Sequence, residues 1–399
     1  MSKIEDLIKQ YCPNGVEWKH LYEVTVWDKR FNSVERYKQP TVIDYKKYFL
    51  GEEQKQLVSD GGSVKILTTY ASNLYADEKS VADYITDGEI VCIPWGGNAI
   101  VQYYKGKFVT GDNRIATSLD VNVLSNKYLY YMMQCNLHLI ASFYRGSGIK
   151  HPDMSKVLDI LIPVPPRPVQ DEIVRILDKF TELEKELEKE LELRRKQYEF
   201  YRDKLLTFGD DVEYKKLGDV GCVRMCKRIM KDQTSSTGDV PFYKIGTFGG
   251  TANAYITQEL FDEYSSRYNY PKKGNVLISA AGTIGRTVVF NDKPSYFQDS
   301  NIVWLEHDGT QVTDEYLKYI YSTSPWYVAD GGTISRLYND NILNAIIPVP
   351  SITEQERIVK ILDKFDTLTT SLTSGLPAEI KLRKQQYEYY RDYLFGLLN

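Results

Sequence analysis

The feature that most constrains this chain is a passage that occurs twice. The sequence "ILDKF" stands at residues 176–180 and again at 361–365, inside "IPVPPRPVQDEIVRILDKF" and "IPVPSITEQERIVKILDKF". The offset across this block is constant, since Asp363 minus Asp178 gives 185. Repetition on this scale indicates two copies of one structural unit rather than one continuous core. A chain of 399 residues also exceeds the length that a single core usually supports.

A second repeated block follows each copy of the first. It reads "LRRKQYEFYRDKLL" at 193–206 and "LRKQQYEYYRDYLF" at 382–395, so its offset is 382 − 193 = 189. The second copy therefore holds 189 − 185 = 4 more residues between its two blocks.

The repeated blocks predict long helices. Prolines in "IPVPPRP" and "IPVPS" end a strand and precede a helix, which Ser351 or Thr353 can cap in the second copy. Apolar residues then recur at steps of three and four from Ile173 to Leu205, and "ELEKELEKELEL" keeps its leucines in line. This pattern is typical of a solvated helix or of half a coiled coil, and the duplicated partner favours the coiled coil.

The two helical copies differ in one place. Gly375 and Pro377 interrupt the second copy where the first runs unbroken, which predicts a kink or a short turn. About 40 residues of helix, at roughly 1.5 Å each, reach about 60 Å. Two such helices packed antiparallel would hold two globular domains at a set distance.

The segments between the repeats predict globular domains. Runs such as "EIVCIP" and "NVLISA" predict strands, while "NKYLYYMMQCNLHLIASF" and "DEYLKYIYSTSPWYVA" predict helices. The predicted fold is therefore mixed α/β, with two globular domains separated by two long antiparallel, coiled-coil-like helices in a pseudo-twofold tandem repeat. The predicted boundaries are 1–150 and 209–335 for the globular domains, and 151–208 and 336–399 for the helical regions.

A weaker match extends the repeat to the start of the chain. "GVEWKHLYEV" at 15–24 resembles "DVEYKKLGDV" at 211–220, which follows the first long helix. Residues 1–24 are therefore expected to lie near the C-terminal helix, so that the terminal pieces complete one unit.

Composition and motifs argue against several classes of protein. The sequence has no phosphate-binding loop, no H-E-x-x-H, no G-x-S-x-G and no N-P-P-[FYW] methyltransferase motif, and its four histidines lie singly. No metal site is predicted. The five cysteines form no dense framework, and no signal peptide or membrane-length apolar run is present, so a cytoplasmic protein is expected. The net charge of −4 excludes an indiscriminate nucleic-acid coat.

Three pairs of loops recur in both halves and carry residues suited to DNA contact. "IPWGGNAI" matches "SAAGTIGRT", "YRGSGIK" matches "GGTISR", and "VKILTTYASN" matches "YKIGTFGGTAN". Any one loop is equally well explained as a tight turn or a solvated surface, but recurrence in both halves favours a binding surface. The candidate residues, which include one basic residue of "RMCKR", are Lys65, Thr68, Trp95, Gly96, Asn98, Arg145, Lys150, Arg228, Lys244, Thr247, Gly285, Arg286 and Arg336.

The twin "IPVP…ILDKF" blocks, the twin "LR.KQYE.YRD.L" blocks and the alternation of diverged and repeated regions resemble the specificity subunit of type I restriction–modification systems. The resemblance covers essentially the whole chain. It implies that each globular domain recognises one half of a bipartite site in double-stranded DNA, and that the helices set the spacer. The resemblance also implies docking of modification subunits, expected to be two, on the helices.

Further implications of the resemblance concern partners. Methyl transfer from S-adenosylmethionine, and the use of ATP and Mg, would belong to the modification subunits and to the restriction subunits, an ATP-dependent translocase and nuclease. The chain itself would be no enzyme, hold no cofactor and contact no membrane. The docking surface is expected to include Tyr198, Tyr201, Tyr387 and Tyr390, because one helix pair cannot cover all of its own apolar stripe.

Two other functions stay open at this point. A coiled-coil scaffold with protein-binding globular ends is compatible with the modest charge of the chain. A fused nuclease or methyltransferase is disfavoured, because the motifs that such enzymes need are missing from the sequence.

Overall fold

The computed structural model describes residues 3–327 and 336–399 and divides the chain into two compact units. Unit 1 runs to Glu186 and takes up Ile380–Asn399, whereas unit 2 is Leu187–Glu379. Each unit therefore contains part of both repeated helical regions. The mixed α/β class and the two-domain layout are confirmed. The boundaries at 150, 208 and 335 remain predictions.

Unit 1 contains seven helices of the first repeat among its described residues, the last of which continues into unit 2. They are α1 (Lys3–Tyr11), α2 (Leu21–Val24), α3 (Glu52–Leu57), α4 (Asn126–Cys135), α5 (Leu137–Ser142), α6 (Met154–Leu158) and α7 (Arg167–Leu206). Its strands are β1 (Trp18–His20), β2 (Thr25–Trp27), β3 (Val64–Ile66), β4 (Tyr75–Ala76), β5 (Thr86–Pro94), β6 (Gln102–Val109), β7 (Asn113–Ser118), β8 (Tyr144–Arg145), β9 (His151–Pro152) and β10 (Leu161–Pro163). Short 3₁₀ helices span Arg36–Lys38 and Lys79–Tyr84.

A six-stranded sheet in the order β2-β7-β5-β6-β3-β4 forms the centre of unit 1. The strand predicted from "EIVCIP" is the central β5, and its consecutive apolar residues are buried because the sheet is covered there by α4 and the core around it. Two smaller pairs, β1-β10 and β8-β9, complete the strands of this unit.

Unit 2 repeats this plan with a smaller, divided sheet. Its helices are α8 (Leu217–Val220), α9 (Gln258–Arg267), α10 (Asp314–Ser322), α11 (Asn339–Leu343), α12 (Ile352–Thr370) and the first turn of α13 (Leu376–Gly396), with a 3₁₀ helix at Lys231–Gln233. Its strands are β11 (Tyr214–Lys216), β12 (Cys222–Met225), β13 (Val240–Tyr243), β14 (Tyr255–Ile256), β15 (Val276–Ser279), β16 (Thr287–Val289), β17 (Tyr296–Phe297), β18 (Ile302–Glu306) and β19 (Ile346–Pro348). The sheets have the orders β12-β18-β15-β16, β14-β13-β17 and β11-β19.

The repeat is visible in matched strand pairs. In unit 1, Trp18 lies opposite Pro163, and in unit 2 Tyr214 lies opposite Pro348, both antiparallel. Each pair joins the "GVEWKH" or "DVEYKK" segment to the strand that precedes a repeated helix. The weaker sequence match at 15–24 therefore marks a real structural equivalence.

A buried glutamine at the start of each repeated helix bonds three backbone groups. In unit 1, Gln170 Nε2 donates to the carbonyls of Val123 and Pro165, both at 2.7 Å, and its Oε1 accepts from Ser125 N at 2.9 Å. Its counterpart in unit 2, Gln355, donates to Gln311 at 2.7 Å and to Pro350 at 2.9 Å, and accepts from Thr313 N at 3.0 Å.

A tyrosine–aspartate pair then joins a helix packed on the sheet to each repeated helix. Tyr131 donates to Asp178 Oδ1 at 2.5 Å, and Tyr319 donates to Asp363 Oδ1 at 2.5 Å. Each Asp is the acidic residue of the repeated "ILDKF" passage. This hydrogen bond gives a structural reason for an acidic residue at that position in both copies.

The two helical copies differ as the sequence predicted. The first is the unbroken 40-residue α7, whereas the second stops at Thr370 and resumes at Leu376. Ser351 caps α12 by accepting from Glu354 N at 3.3 Å. A Cβ on Gly375 would lie 2.4 Å from the carbonyl oxygen of Thr367, so the turn requires a glycine there.

The start of the chain packs beside its end within unit 1, as expected. Ile4 of α1 and Leu394 of α13 share one buried core, and Tyr393 donates to Glu5 Oε1 at 3.1 Å. One helix prediction was too long, because α10 ends at Ser322, and the described part of "TSPWYVA" beyond it is not helical.

Candidate nucleic-acid interface

In unit 2, the glycine-bearing loop after β15 is joined to the segment that enters α11. Ala281 forms an antiparallel bridge with Arg336, and the N–H of Leu337 donates to the carbonyl of Ala280 at 2.8 Å. One loop from each of two recurring pairs therefore meets at this point; of the predicted loop "GGTISR", only Arg336 lies within the described residues. We call these two contacting segments of unit 2 the unit 2 loop pair (residues 280–286 and 336–337).

Unit 1 joins the equivalent loops by different chemistry. At the offset of 185, Leu337 corresponds to Pro152, which has no N–H to donate. The imidazole of His151 takes its place, with Nδ1 2.9 Å from the carbonyl oxygen of Trp95, and the two rings lie 4.2 Å apart. Gly97 N also donates to Lys150 O at 2.9 Å. We call residues 95–98 and 145–152 the unit 1 loop pair.

A cationic cleft of about 440 Å³ lies against the unit 2 loop pair. We call it the unit 2 cleft; among its lining residues are four cations and one carboxylate: Arg228, Lys231, Lys244, Arg336 and Asp299. Three of these cations, all but Lys231, were predicted from the sequence. Concave basic surface of this kind suits a phosphate backbone or the acceptor edge of a base.

Two arginines of the unit 2 cleft are held by one tight turn. Arg228 Nε donates to Asp299 Oδ2 at 2.8 Å, and Arg336 NH2 donates to the carbonyl of Ser300 at 2.9 Å. Ser300 has φ +53°, and Asn301 N donates back to Asp299 O at 2.6 Å. Each guanidinium group is therefore held by one hydrogen bond to this turn, which itself lines the cleft.

The cleft beside the unit 1 loop pair has a different character. It encloses about 340 Å³, and Trp95, Gly96, Tyr70, Lys55 and Asp112 are among its lining residues. Trp95 and Tyr70 expose 38% and 58% of their surfaces, which leaves aromatic faces open beside a single lysine and a single carboxylate. We call it the unit 1 cleft.

Two predicted residues of unit 1 serve mainly to hold their own loop. Thr68 is buried, and its hydroxyl bonds Tyr70 O at 2.6 Å and Ser72 Oγ at 2.7 Å. The ammonium of Lys65 donates to the carbonyl of Ser72 and lies 5.0 Å from the ring centre of Tyr75. Burial lowers the pKa of Lys65.

Predicted residues of the unit 1 loop pair are more accessible. Asn98, Arg145 and Lys150 are exposed, and Arg145 lies on β8 opposite His151. A Cβ on Gly96 would come within 2.8 Å of the Ile149 side chain, so the close approach of the two loops depends on glycine at that position.

The remaining predicted residues of unit 2 make internal bonds. Gly285, at φ +79°, donates its N–H to Ser279 O at 2.9 Å, so this amide is already used. Arg286 NH1 donates to Phe248 O at 3.0 Å, while the hydroxyl of Thr247 closes a turn with Lys244 at 3.1 Å.

Four tyrosines were predicted as a docking surface, and each one packs on its own unit. Tyr201 stacks on Phe365 at 5.6 Å in unit 2, and Tyr390 stacks on Phe180 at 5.2 Å in unit 1. Tyr198 and Tyr387 are partly buried against the cores of units 2 and 1, and burial raises the pKa of both. Other apolar side chains on the same helices expose a larger fraction of their surface than these tyrosines do, namely Leu193, Phe200, Leu382 and Tyr389.

Sequence reasoning missed Lys231, Asp112 and Asp299 as lining residues of the clefts, and it missed His151 as the link within the unit 1 loop pair. A signal existed for His151, because Pro152 replaces a residue that donates a hydrogen bond in the other repeat. Within residues 3–327 and 336–399, no three His, Cys, Asp or Glu side chains group so as to hold a metal ion. None of the helices in the described ranges is long and apolar enough to span a bilayer.

Comparison with known proteins gives these two units a family. A family model described as the type I restriction modification DNA specificity domain matches residues 45–193 and 209–382. A putative type I restriction enzyme specificity subunit from Haemophilus influenzae is 46% identical over 338 residues, covering 81% of this chain and 87% of that protein. A type I restriction enzyme specificity subunit from Escherichia coli is 33% identical over 424 residues, covering 99% and 98%.

Solved structures share the fold. The S subunit of a type I restriction-modification system from M. genitalium matches with a TM-score of 0.53 at 17% identity, over 96% of each chain. A chain from a study of complex assembly and conformational transition of the type I R-M system matches with a TM-score of 0.56 at 18% identity, over 96% of this chain and 98% of that one. Because the family model matches one copy in each repeat and a specificity subunit aligns over nearly the full length, the chain belongs to the DNA sequence-specificity subunits of type I restriction–modification systems.

Proposed function

We propose that units 1 and 2 each recognise one half of a bipartite site in double-stranded DNA. The observation that carries this proposal is the recurrence of one loop pair, joined at equivalent positions, in both units. A framework repeated twice with unlike exposed side chains suits a protein that must recognise two unlike short sequences.

Electrostatics support local rather than general binding. The chain has a net charge of −4, yet four cations converge on the unit 2 cleft. DNA affinity should therefore fall with salt according to the few phosphates neutralised, since each contact releases condensed counterions. Random duplex is expected to bind weakly.

The contacts divide by role. In unit 2, Arg228, Lys244 and Arg336 are proposed to touch DNA, with Arg286 at the margin of the loop pair. In unit 1, the proposed contacts are Trp95, Asn98, Arg145 and Lys150, with Gly96 allowing close approach. Lys65, Thr68, Thr247 and Gly285 are proposed to support these contacts by holding the loops.

The repeated helices are proposed to measure the spacer and to dock modification subunits. Two long antiparallel helices between the globular domains would set the distance between half-sites. The apolar residues that α7 and α13 leave exposed, Leu193 with Phe200 and Leu382 with Tyr389, repeat at the offset of 189 and extend the docking surface around Tyr201 and Tyr390. Two equivalent surfaces suit two copies of the modification subunit.

Catalysis is proposed to reside in the partners. S-adenosylmethionine would bind to modification subunits, and ATP and Mg to restriction subunits, while this chain selects the sequence. The scaffold alternative has no specific observation in its favour.

Insertion of one further "ELEK" after Lys189 tests this function. Four residues lengthen α7 by about 6 Å, which is between one and two base pairs at about 3.4 Å each. The apolar stripe stays nearly in register, because four residues are a little over one turn. We expect the wild-type chain, co-expressed with the modification subunit of its system, to direct methylation to one bipartite motif. The insertion variant should methylate the same half-sites with a spacer longer by one or two base pairs.

The control is the length-neutral change of the exposed Glu186→Gln, which should leave the spacer unaltered. Sequencing of methylated genomic DNA from hosts carrying each variant gives the motif directly. An unchanged spacer in the active insertion variant would show that the helices do not measure the site. Methylation that is independent of this chain would contradict its role in recognition.

A further inference from the structure

The unit 2 cleft contains an arginine whose orientation is set by a carboxylate. Arg228 Nε donates to Asp299 Oδ2 at 2.8 Å, and among the residues that the structure describes Arg228 has no second hydrogen-bond partner. Its side chain is 66% exposed, whereas that of Asp299 is only 18% exposed. Both residues line the cleft, and the two terminal nitrogens of the guanidinium have no hydrogen-bond partner among the described residues.

The wall that carries Asp299 is itself held firmly. Ala280 N donates to Asn301 O at 2.8 Å, and Arg336 NH2 donates to Ser300 O at 2.9 Å. The main chain at Ala280 and the side chain of Arg336, both of the unit 2 loop pair, therefore each bond the turn. A guanidinium anchored on this turn loses little further freedom when it binds, which favours directional contacts.

We propose that Arg228 recognises a guanine in the half-site bound by unit 2, with Asp299 as the positioning residue. Guanine presents two acceptors, N7 and O6, to the major groove, and the two terminal N–H groups of an arginine match that pair. Adenine presents one acceptor and one donor there, so it cannot accept both bonds. Lys231, Lys244 and Arg336 line the same cleft and hold the adjoining phosphates.

A phosphate contact alone would not need this anchor. A mobile lysine, acting as a point charge, binds a phosphate well. An arginine held at Nε by a carboxylate keeps its own charge, but the carboxylate offsets part of the attraction that the pair exerts on a phosphate. The ion pair therefore weakens the attraction to phosphate but restricts the orientation of the guanidinium. A defined orientation is what bidentate recognition of a base requires.

The same unit offers a matched control pair. Arg224 Nε donates to Glu306 Oε2 at 2.7 Å across strands β12 and β18, with both side chains partly exposed. The atom, the partner chemistry and the distance match those of Arg228 and Asp299. Arg224 is absent from the described lining of the unit 2 cleft.

The inference rests on the proposed function, and its experiment separates the two. The full chain is purified with the modification subunit of its own system, and the bipartite motif is mapped. Binding is then measured to duplexes in which each guanine of the motif is replaced, one at a time, by 7-deazaguanine, which lacks the N7 acceptor. We expect one guanine, in one half-site only, whose replacement weakens binding roughly 2- to 12-fold, because the loss of N7 removes one of the two bonds of a contact worth roughly 5- to 150-fold in all.

The variants identify the side chain responsible. In Arg228→Ala, binding to the unmodified duplex should fall roughly 5- to 150-fold, and the penalty for 7-deazaguanine at that position should disappear, because no donor is left to bond N7. Asp299→Asn should reduce the same penalty without altering the other half-site, and Asp299→Glu should retain part of it. Arg224→Ala should behave as the wild type on every duplex.

Two results would overturn the inference. One is a uniform loss across all duplexes in Arg228→Ala with the 7-deazaguanine penalties unchanged, which would make Arg228 a phosphate contact. The other is a motif in which no guanine is coupled to Arg228. Either result leaves sequence-specific methylation intact, whereas absence of any motif that depends on this chain would defeat the proposed function itself.

Discussion

Unit 2 joins its loop pair with the backbone N–H of Leu337, and unit 1 joins the equivalent loops with the imidazole of His151. The second solution is needed because Pro152 has no N–H at the matching position. One connection has thus been kept while the chemistry that makes it has changed. The comparison teaches that the loop geometry is required in both units, whereas the residues that provide it are free to vary.

The clefts of the two units lie beside equivalent loops but differ in charge. The unit 2 cleft gathers four cations, whereas the unit 1 cleft combines exposed aromatic faces with one lysine and one carboxylate. At the start of the repeated helices, by contrast, Gln170 and Gln355 make equivalent sets of three bonds to the backbone. The framework is therefore repeated closely, and the surface is repeated only in position.

The largest effect is expected when this common framework is broken. Gln170→Leu removes three hydrogen bonds to backbone groups of unit 1, of which the one to Pro165 is buried and two are part-buried, and Gln355→Leu does the same in unit 2, where the bond to Pro350 is the buried one. Each change should lower the free energy of unfolding of its own unit by about 2–3 kcal/mol, since a buried group left unsatisfied costs about 1–3 kcal/mol and a part-buried one less.

Hydrogen exchange measured peptide by peptide resolves the two units. Gln170→Leu should accelerate exchange around α4 and the start of α7, and Gln355→Leu around α10 and α12. The exposed Gln56→Leu is the matched control and should change neither. Equal loosening of both units by either variant would contradict the independence of the two frameworks.

A smaller effect is expected from an ion pair that each unit has at the start of its repeated helix, because the pair is more buried in unit 1 than in unit 2. Glu172 in unit 1 bonds Arg175 at 2.7 Å and Lys3 at 2.8 Å, and its side chain is 4% exposed. Glu354 in unit 2 bonds Arg357 at 2.6 Å and is 35% exposed. The hydrogen bonds from Arg175 and then from Lys3 lower the pKa of Glu172 from 4.5 to about 2, against the effect of burial.

Because the folded pKa lies below the usual value, Glu172 stabilises unit 1 above about pH 4.5, and this stabilisation is lost as the pH falls towards 2. Glu172→Gln should cost about 2 kcal/mol at pH 7 and much less near pH 2. Glu354→Gln should cost less at every pH. Unfolding followed by exchange of α1 and α7 peptides checks this, and a Glu172→Gln effect that does not depend on pH would contradict it.

The smallest effect concerns the substituted bond of the unit 1 loop pair. His151→Ala should remove about 1 kcal/mol from the closure of the two loops, so exchange of peptides covering residues 95–98 should rise about fivefold. Adding Pro152→Leu to that variant restores a backbone N–H where unit 2 has Leu337, and exchange should return towards the wild-type rate. The exposed His138→Ala is the control. Failure of the double variant to recover would show that His151 does not substitute for a backbone donor.

Much of the fold could be predicted because the same helix signals occur in both copies of the repeat. The offsets of 185 and 189, the prolines before each helix and the apolar steps of three and four correctly placed α7, α12 and α13 and the turn at Gly375. Helix length was less predictable at α10, because "SPWYVA" is apolar enough to suit a helix, while Pro325 and the packing of Trp326 end it.

The candidate site could be predicted only in part. Loops that recur in both halves pointed to Trp95, Lys244 and Arg336, and the basic cluster "RMCKR" pointed to Arg228; all four line the clefts. Thr68 matched the same pattern, but it is buried and bonded within its loop. Asp299 was missed, since an acidic residue in a sequence gives no sign that it orients an arginine 71 positions away.

The sequence by itself determined the duplication, the mixed α/β class, the long helices and the family to which the chain belongs. These depend on local propensity, periodicity and repetition, all of which are written along the chain. Only the tertiary structure decided that His151 replaces the N–H missing at Pro152, and that Arg228 is anchored by Asp299. Such contacts depend on which distant segments approach within about 3 Å, the reach of a hydrogen bond. That distance is set by the packing of the whole unit, and no short stretch of sequence contains it.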